Sequence, residues 1–183
     1  MKNKILISAL LLIFVIVGLW VYQKQEPKQT IQESRIQRDI SAIRKFADSS
    51  ELAVQFESES KSSNGKVVPV NVYIAGSDRY EIDANGKIIG FGSRNLPVGS
   101  ENEKIIDNSP RYNQQELESM ARQLIVKNAS DINLDELTLA QNTKGTNYFF
   151  RWEDKSKKTS EGYLFIQIGF SQGGTLLNYV NIL

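Results

Sequence analysis

The sequence contains no cysteine and no histidine. The first absence excludes disulfides, a lipid-modified cysteine, thiolate metal ligands and a cysteine nucleophile. The second removes Ser/His/Asp triads and ordinary zinc sites. Charge of one sign is not in excess either, since 22 Lys and Arg stand against 21 Asp and Glu. A nucleic-acid partner, which needs a net basic surface or stripe, is therefore not expected. No catalytic set, cofactor motif or metal-ligand set can be read from the residues, so none of the three is expected.

One long apolar run is present. Ile5 to Tyr22 carries no charge, with Ser8 and Gly18 as its only mild interruptions. As a helix it would span roughly 27 Å, close to a bilayer core of about 30 Å. Ile5, Leu12 and Phe14 face the lipid in this reading, and Trp20 and Tyr22 fall where an interfacial aromatic belt is expected. A cleavable signal peptide is the competing reading. The exit sequence ValTyrGlnLysGlnGluPro lacks the small residues that a peptidase site needs, which favours an uncleaved signal anchor. Lys2 and Lys4 in the short head place the N-terminus in the cytoplasm and the rest of the chain outside it. The expectation is a single-pass protein of the cell membrane, with the bilayer as its first partner. Without residues 1–23 the balance is 20 basic against 21 acidic residues.

Beyond a polar tether, Thr30 and Glu33 have the spacing of a capping box, and Ile36, Ile40 and Ile43 recur at helical spacing with Phe46 close by. This predicts a helix over about 31–47. Leu52, Val54 and Phe56 alternate as a strand, and the polar run 57–66 reads as a hairpin loop around Asn64 and Gly65. Val68, Val70, Val72 and Ile74 share a face of the next strand, with Pro69 best placed at a sheet edge. Residues 79–83 and 87–91 make a hairpin around Asn85 and Gly86. Little periodicity follows between Ser93 and Tyr112, which marks a boundary. Asn113 and Glu116 repeat the capping spacing ahead of Leu117, Ala121 and Leu124, predicting a second helix to about Lys127. Leu137 and Leu139 begin a strand.

The stretch Tyr148 to Val180 carries the strongest strand signal. Tyr148, Phe150 and Trp152 alternate with Phe149, Arg151 and Glu153; Leu164, Ile166, Ile168 and Phe170 share a face; Leu177 and Tyr179 alternate after a GlnGlyGly turn. A three-stranded antiparallel meander is expected. The stretch 80–91 can be set against 168–179, with Gly86 on Gly174 and Phe91 on Tyr179, which reads as a diverged internal duplication.

The helix GluLeuGluSerMetAlaArgGlnLeu, the strand TyrPhePheArgTrpGlu and the pair IleGlnIleGlyPheSerGlnGlyGlyThrLeuLeuAsnTyr together resemble the PepSY domains of bacterial extracytoplasmic proteins. Residues 113–183 resemble the family best. The resemblance implies a domain that binds or restrains peptidases or other envelope proteins, and it supplies no catalytic residue. The resulting fold expectation is α+β: an N-terminal transmembrane helix followed by two PepSY-like repeats, each one helix packed on an antiparallel sheet. The expected divisions are head and anchor at 1–23, tether at 24–29, first repeat at 30–94, linker at 95–112 and second repeat at 113–183.

Several short patterns have both a functional and a plain reading. Asp131, Asn133 and Asp135 open like a calcium loop, but Glu136 replaces the turn glycine and Asn142 stands where a bidentate carboxylate belongs. A solvated connection is the better account. Ser58 with Lys61, and Ser63 with Lys66, match a serine–lysine spacing, yet both pairs fall in the expected loop and lack supporting motifs. Asn128 heads a formal glycosylation sequon. The charged run 153–158 reads as a solvated hairpin tip, with docking of an acidic partner or of anionic lipid headgroups as the functional alternative. Tyr148, Phe150, Trp152, Tyr163 and Phe165 are mainly expected in the core, with Trp152 partly exposed. The candidate partner contacts are accordingly Trp152, Asp154, Lys155, Lys157 and Lys158.

The functional expectation is a non-enzymatic, membrane-anchored, extracytoplasmic binding or regulatory module acting on an envelope protein, a peptidase being one candidate. A module binding cell-wall glycan or peptide through sheet aromatics is the alternative. An enzyme working through carboxylates alone would require two acidic residues close together in an open cleft.

Overall fold

The computed structural model describes residues 32–62, 67–94, 99–101 and 103–183. The chain divides into two compact units, Met1–Arg38 and Asp39–Leu183. Residues 32–47 form helix α1. Its last turn buries Ile43 and Phe46. It stops where Asp48 takes a left-handed φ of 57° and the Ser49 amide donates to Arg44 O at 3.0 Å, a closure that satisfies carbonyls the helix leaves open.

Among the described residues eight strands follow: β1 (Gln55–Lys61), β2 (Pro69–Ala75), β3 (Asp78–Ile82), β4 (Ile88–Ser93), β5 (Thr138–Lys144), β6 (Asn147–Thr159), β7 (Gly162–Ser171) and β8 (Leu176–Asn181). Helix α2 (Gln114–Asn128) and a short 3-10 turn at Leu134–Glu136 lie between β4 and β5. The capping box expected for α2 is present, with the Glu116 amide donating to Asn113 Oδ1 at 3.0 Å and the Asn113 amide donating to Glu116 Oε2 at 2.8 Å.

All eight strands belong to one antiparallel sheet in the order β1-β2-β3-β4-β8-β7-β6-β5. This corrects the expected pair of separate helix-on-sheet repeats. The seam is the β4–β8 pairing, with Gly90 opposite Val180, Phe91 opposite Tyr179 and Gly92 opposite Asn178. The likeness between 80–91 and 168–179 has a local cause: each is a tight hairpin turning at a glycine with positive φ, 84° at Gly86 and 87° at Gly174. Turn chemistry and strand alternation produce that pattern without an internal repeat. Among the described residues no helix is long and apolar enough to cross a membrane. The run Ile5–Tyr22, the Thr30 cap and the Ser63–Lys66 pair lie outside the described residues.

Cross-strand partners point to the same face of a sheet. One row therefore crosses all eight strands, from Phe56 through Tyr73, Tyr80, Phe91, Tyr179, Ile168 and Phe150 to Gln141. Residues 39–47 of α1, and α2, cover this face. Phe46 packs edge-on against Tyr80 and Tyr179 with ring centroids 6.1 and 5.3 Å apart. Arg122 of α2 lies over Trp152, its guanidinium carbon 5.3 Å from the ring.

Two elements differ from the expected positions. Strand β1 begins where Leu52–Phe56 had read as a strand and runs through the supposed loop to Lys61. As an outer strand it needs no apolar alternation on either face. Pro69 opens β2, which lies inside the sheet between β1 and β3; a first strand position tolerates the missing donor as well as an edge does.

Candidate functional site

The face away from the helices carries the site. Its first row runs Val72, Glu81, Gly90, Val180, Gln167, Arg151, Ala140. Its second runs Arg79, Gly92, Asn178, Gly169, Phe149, Asn142. Three glycines thus meet around the β4–β8–β7 seam, where larger residues would otherwise fill the surface. Gly90 and Gly92 floor a shallow trough of about 200 Å³, walled by Arg79 and Glu81 and lined also by Asn178 and Val180.

The glycines act differently. A Cβ built at Gly92 meets nothing within 4 Å, so that part of the trough is open. One built at Gly169 would meet Asn178 Oδ1 and come within 2.6 Å of the Phe149 ring. Gly169 therefore lets an aromatic ring and an amide lie across the sheet. Asn178 Oδ1 is buried and accepts no hydrogen bond among the described residues, a condition that costs free energy unless a donor arrives. Glu81 is only 1% exposed and forms an ion pair with Arg79.

A second cavity of about 400 Å³ sits on the same face at the β5 side, lined by Ala140, Asn142, Phe149, Arg151, Glu153 and Gln167. Arg151 is held by its Nε–H donating to Gln167 Oε1 at 2.9 Å and stacks over Phe165 at 3.9 Å. Further along β6 and β7, Lys155 lies 4.3 Å and Lys158 5.8 Å from the Tyr163 ring centroid. Cations over aromatic faces attract electrostatically, so this end of the face is a ladder of cation–ring pairs.

The expected partner contacts divide between the two faces. Trp152 is 1% exposed beneath α2, which corrects the expectation of partial exposure. Its even position on β6 places it with Phe150, and a sheet this wide needs that face covered. Asp154 is half-buried, while Lys155, Lys157 and Lys158 are exposed. The run 153–158 is strand rather than tip, since the β6–β7 turn comes at 160–161. Asp154 pairs with Leu164 and Lys158 with Tyr163, so the three residues between bulge outward. The Asp154 carboxylate organises the bulge by accepting from Ser156 Oγ and N and by pairing with Lys157 at 3.1 Å. The Ser156 hydroxyl first, and then Lys157, hold its pKa below the usual carboxylate value.

Ser58 and Lys61 sit three apart on β1 and so point to opposite faces. Asn133 caps the 3-10 turn by accepting from the Asp135 amide at 3.2 Å, and Asp131 pairs with Lys87 at 3.3 Å. That segment is a structural connection. The sequon residue Asn128 closes α2, its Nδ2 donating to Leu124 O at 2.9 Å. Among the described residues there is no group of three or more side chains placed to hold a metal ion. Arg79, Glu81, Gln167 and Asn178 were not singled out from the sequence. The available signal was glycine at alternate strand positions, Gly90 and Gly92, which marks a close approach or a ligand floor.

No family model, curated protein or solved structure matches the chain. The resemblance to PepSY domains rests on the sequence motifs of 113–183.

Proposed function

We propose that this protein is a non-enzymatic binding or regulatory module of the cell envelope that acts on another envelope protein, held at the membrane through Ile5–Tyr22. The observation that carries the reading is the glycine-floored trough, where a buried Asn178 Oδ1 meets no donor among the described residues beside the Arg79–Glu81 pair. Such a surface offers space, a hydrogen-bond acceptor and fixed charge without a nucleophile and base arranged for chemistry. The PepSY resemblance supports a protein partner, with peptidases among the candidates. The wall-ligand alternative rests on Tyr148, Phe150, Trp152, Tyr163 and Phe165; Phe150 and Trp152 are buried, which leaves it less support, while the other three are half-buried.

A photo-crosslinking residue placed at Gly92 in the full chain, expressed in its own membrane, tests this. One discrete protein adduct is expected from Gly92 and none from a control at the exposed Val126. Equal labelling from both positions, or no protein adduct at Gly92, would count against the proposal.

A further inference from the structure

Among the described residues the sheet exposes three stretches of strand edge, and they are not treated alike. An open edge is a template for another strand, and proteins ordinarily blunt it with charge or a bulge. Strand β1 carries Glu57, Glu59 and Lys61 and a register shift between Phe56 and Ser58. The overhang of β6 past β5 carries Lys155, Lys157 and Lys158 and the three-residue bulge. Strand β5 has neither device. Its seven residues pair with β6 without a break, no charge occurs before Lys144 and no proline interrupts it.

The 400 Å³ cavity opens directly beside this edge, with Ala140 as the low rim between it and Arg151. Strand addition draws affinity from main-chain hydrogen bonds and selectivity from pockets that take alternate side chains. Glu153 at the cavity is already paired with Lys155. Arg151 has no carboxylate in ion-pairing range among the described residues, its contacts being Gln167 and the Phe165 ring. We infer that β5 accepts an extended segment of the partner as a ninth strand, and that an acidic side chain on that segment reaches over Ala140 to Arg151. A second copy of β5 fits less well, because the strand contains no acidic residue to offer Arg151. The inference rests on the protein-binding reading and names where and how the partner is held.

The probe is a fluorescent peptide, Thr-Val-Glu-Val-Glu-Val-Thr, with a Gln-for-Glu twin, added to the full chain in mild detergent. The Glu peptide is expected to bind about ten-fold more tightly than its twin, the scale of one charge-assisted contact, and to slow amide exchange across 138–144. Arg151→Gln should remove the difference between the two peptides, and Ala140→Lys should weaken both. Equal binding of the twins, failure of both to bind, or slowed exchange elsewhere would overturn the inference. Exchange in β5 that slows with protein concentration alone would assign the edge to self-association instead. Partner capture separates the two proposals: a partner crosslinked from Gly92 equally well in wild type and Ala140→Lys leaves the binding module standing and removes the β5 edge.

Discussion

The two ends of the sheet are covered by one helix each, yet the layers between helix and sheet are built differently. Beneath α1, the fully buried Asp39 accepts from Tyr73 Oη and from Asn71 Nδ2, both at 2.9 Å. Beneath α2, the buried residues are Leu117, Ala121 and Ile125 against Phe150, Trp152, Ile166 and Ile168. Apolar burial is tolerant of small rearrangement, whereas a buried carboxylate fixes its donors in one geometry. The first end thus adds a hydrogen-bonded carboxylate to the packing of Ile43 and Phe46, where the second is specified by packing. Phe46 reaches across to Tyr179 and ties the two together at the seam.

That tie makes the two ends one cooperative unit. Phe46→Ala should cost about 3–5 kcal/mol, and circular dichroism and Trp152 emission, read in a Trp20→Phe background, should report one coincident urea transition. Separate transitions would mean that the two ends fold independently. Asp39→Ala comes next, at about 2–3 kcal/mol, because it removes the buried carboxylate that accepts from both Tyr73 Oη and Asn71 Nδ2; Leu117→Val in α2 should cost less by the same measurement.

Alkaline pH probes the middle of the aromatic row. Burial pushes the Tyr179 hydroxyl up from 10.0 to about 12 and raises that of Tyr80 as well. The neutral form is favoured in the folded state, so its contribution is complete below about pH 10 and is lost as pH rises through about 12. The loss from Tyr179 should be about 3 kcal/mol, visible as a falling urea midpoint, and Tyr179→Phe should flatten that fall. The smallest effect distinguishes the glycines. Gly169→Ala should cost about 1–2 kcal/mol through the Phe149 and Asn178 crowding, while Gly92→Ala should leave stability within about 0.5 kcal/mol. Equal effects would show that the floor is uniform.

How much of this could be read from the sequence differed by element. The strands from Tyr148 to Val180 were legible because one face is buried and alternation records it. Strand β1 was displaced because an outer strand such as GluSerGluSer carries no apolar period. The charged part of β6 read as a turn for a similar reason: local composition registers solvent contact, not the extended backbone that β7 imposes. The joining of eight strands into one sheet depends on three residue pairs between β4 and β8, and two of the six partners are glycines with no side chain to signal contact. The site suffered most. Local sequence points to exposed charges as partner contacts, whereas the trough is defined by missing side chains and by cross-strand neighbours far apart in sequence.

The position of β8 bears on the order in which the protein can be made. It is the last of the eight strands in the chain, yet it occupies the interior between β4 and β7. During synthesis β4 and β7 both emerge before the strand that separates them, and each presents an unpaired edge until it arrives. Long-range pairing of this kind is slow and exposes intermediates to association. A nascent chain stalled just short of Leu176 therefore holds two open sheet margins, and completing six residues closes both at once.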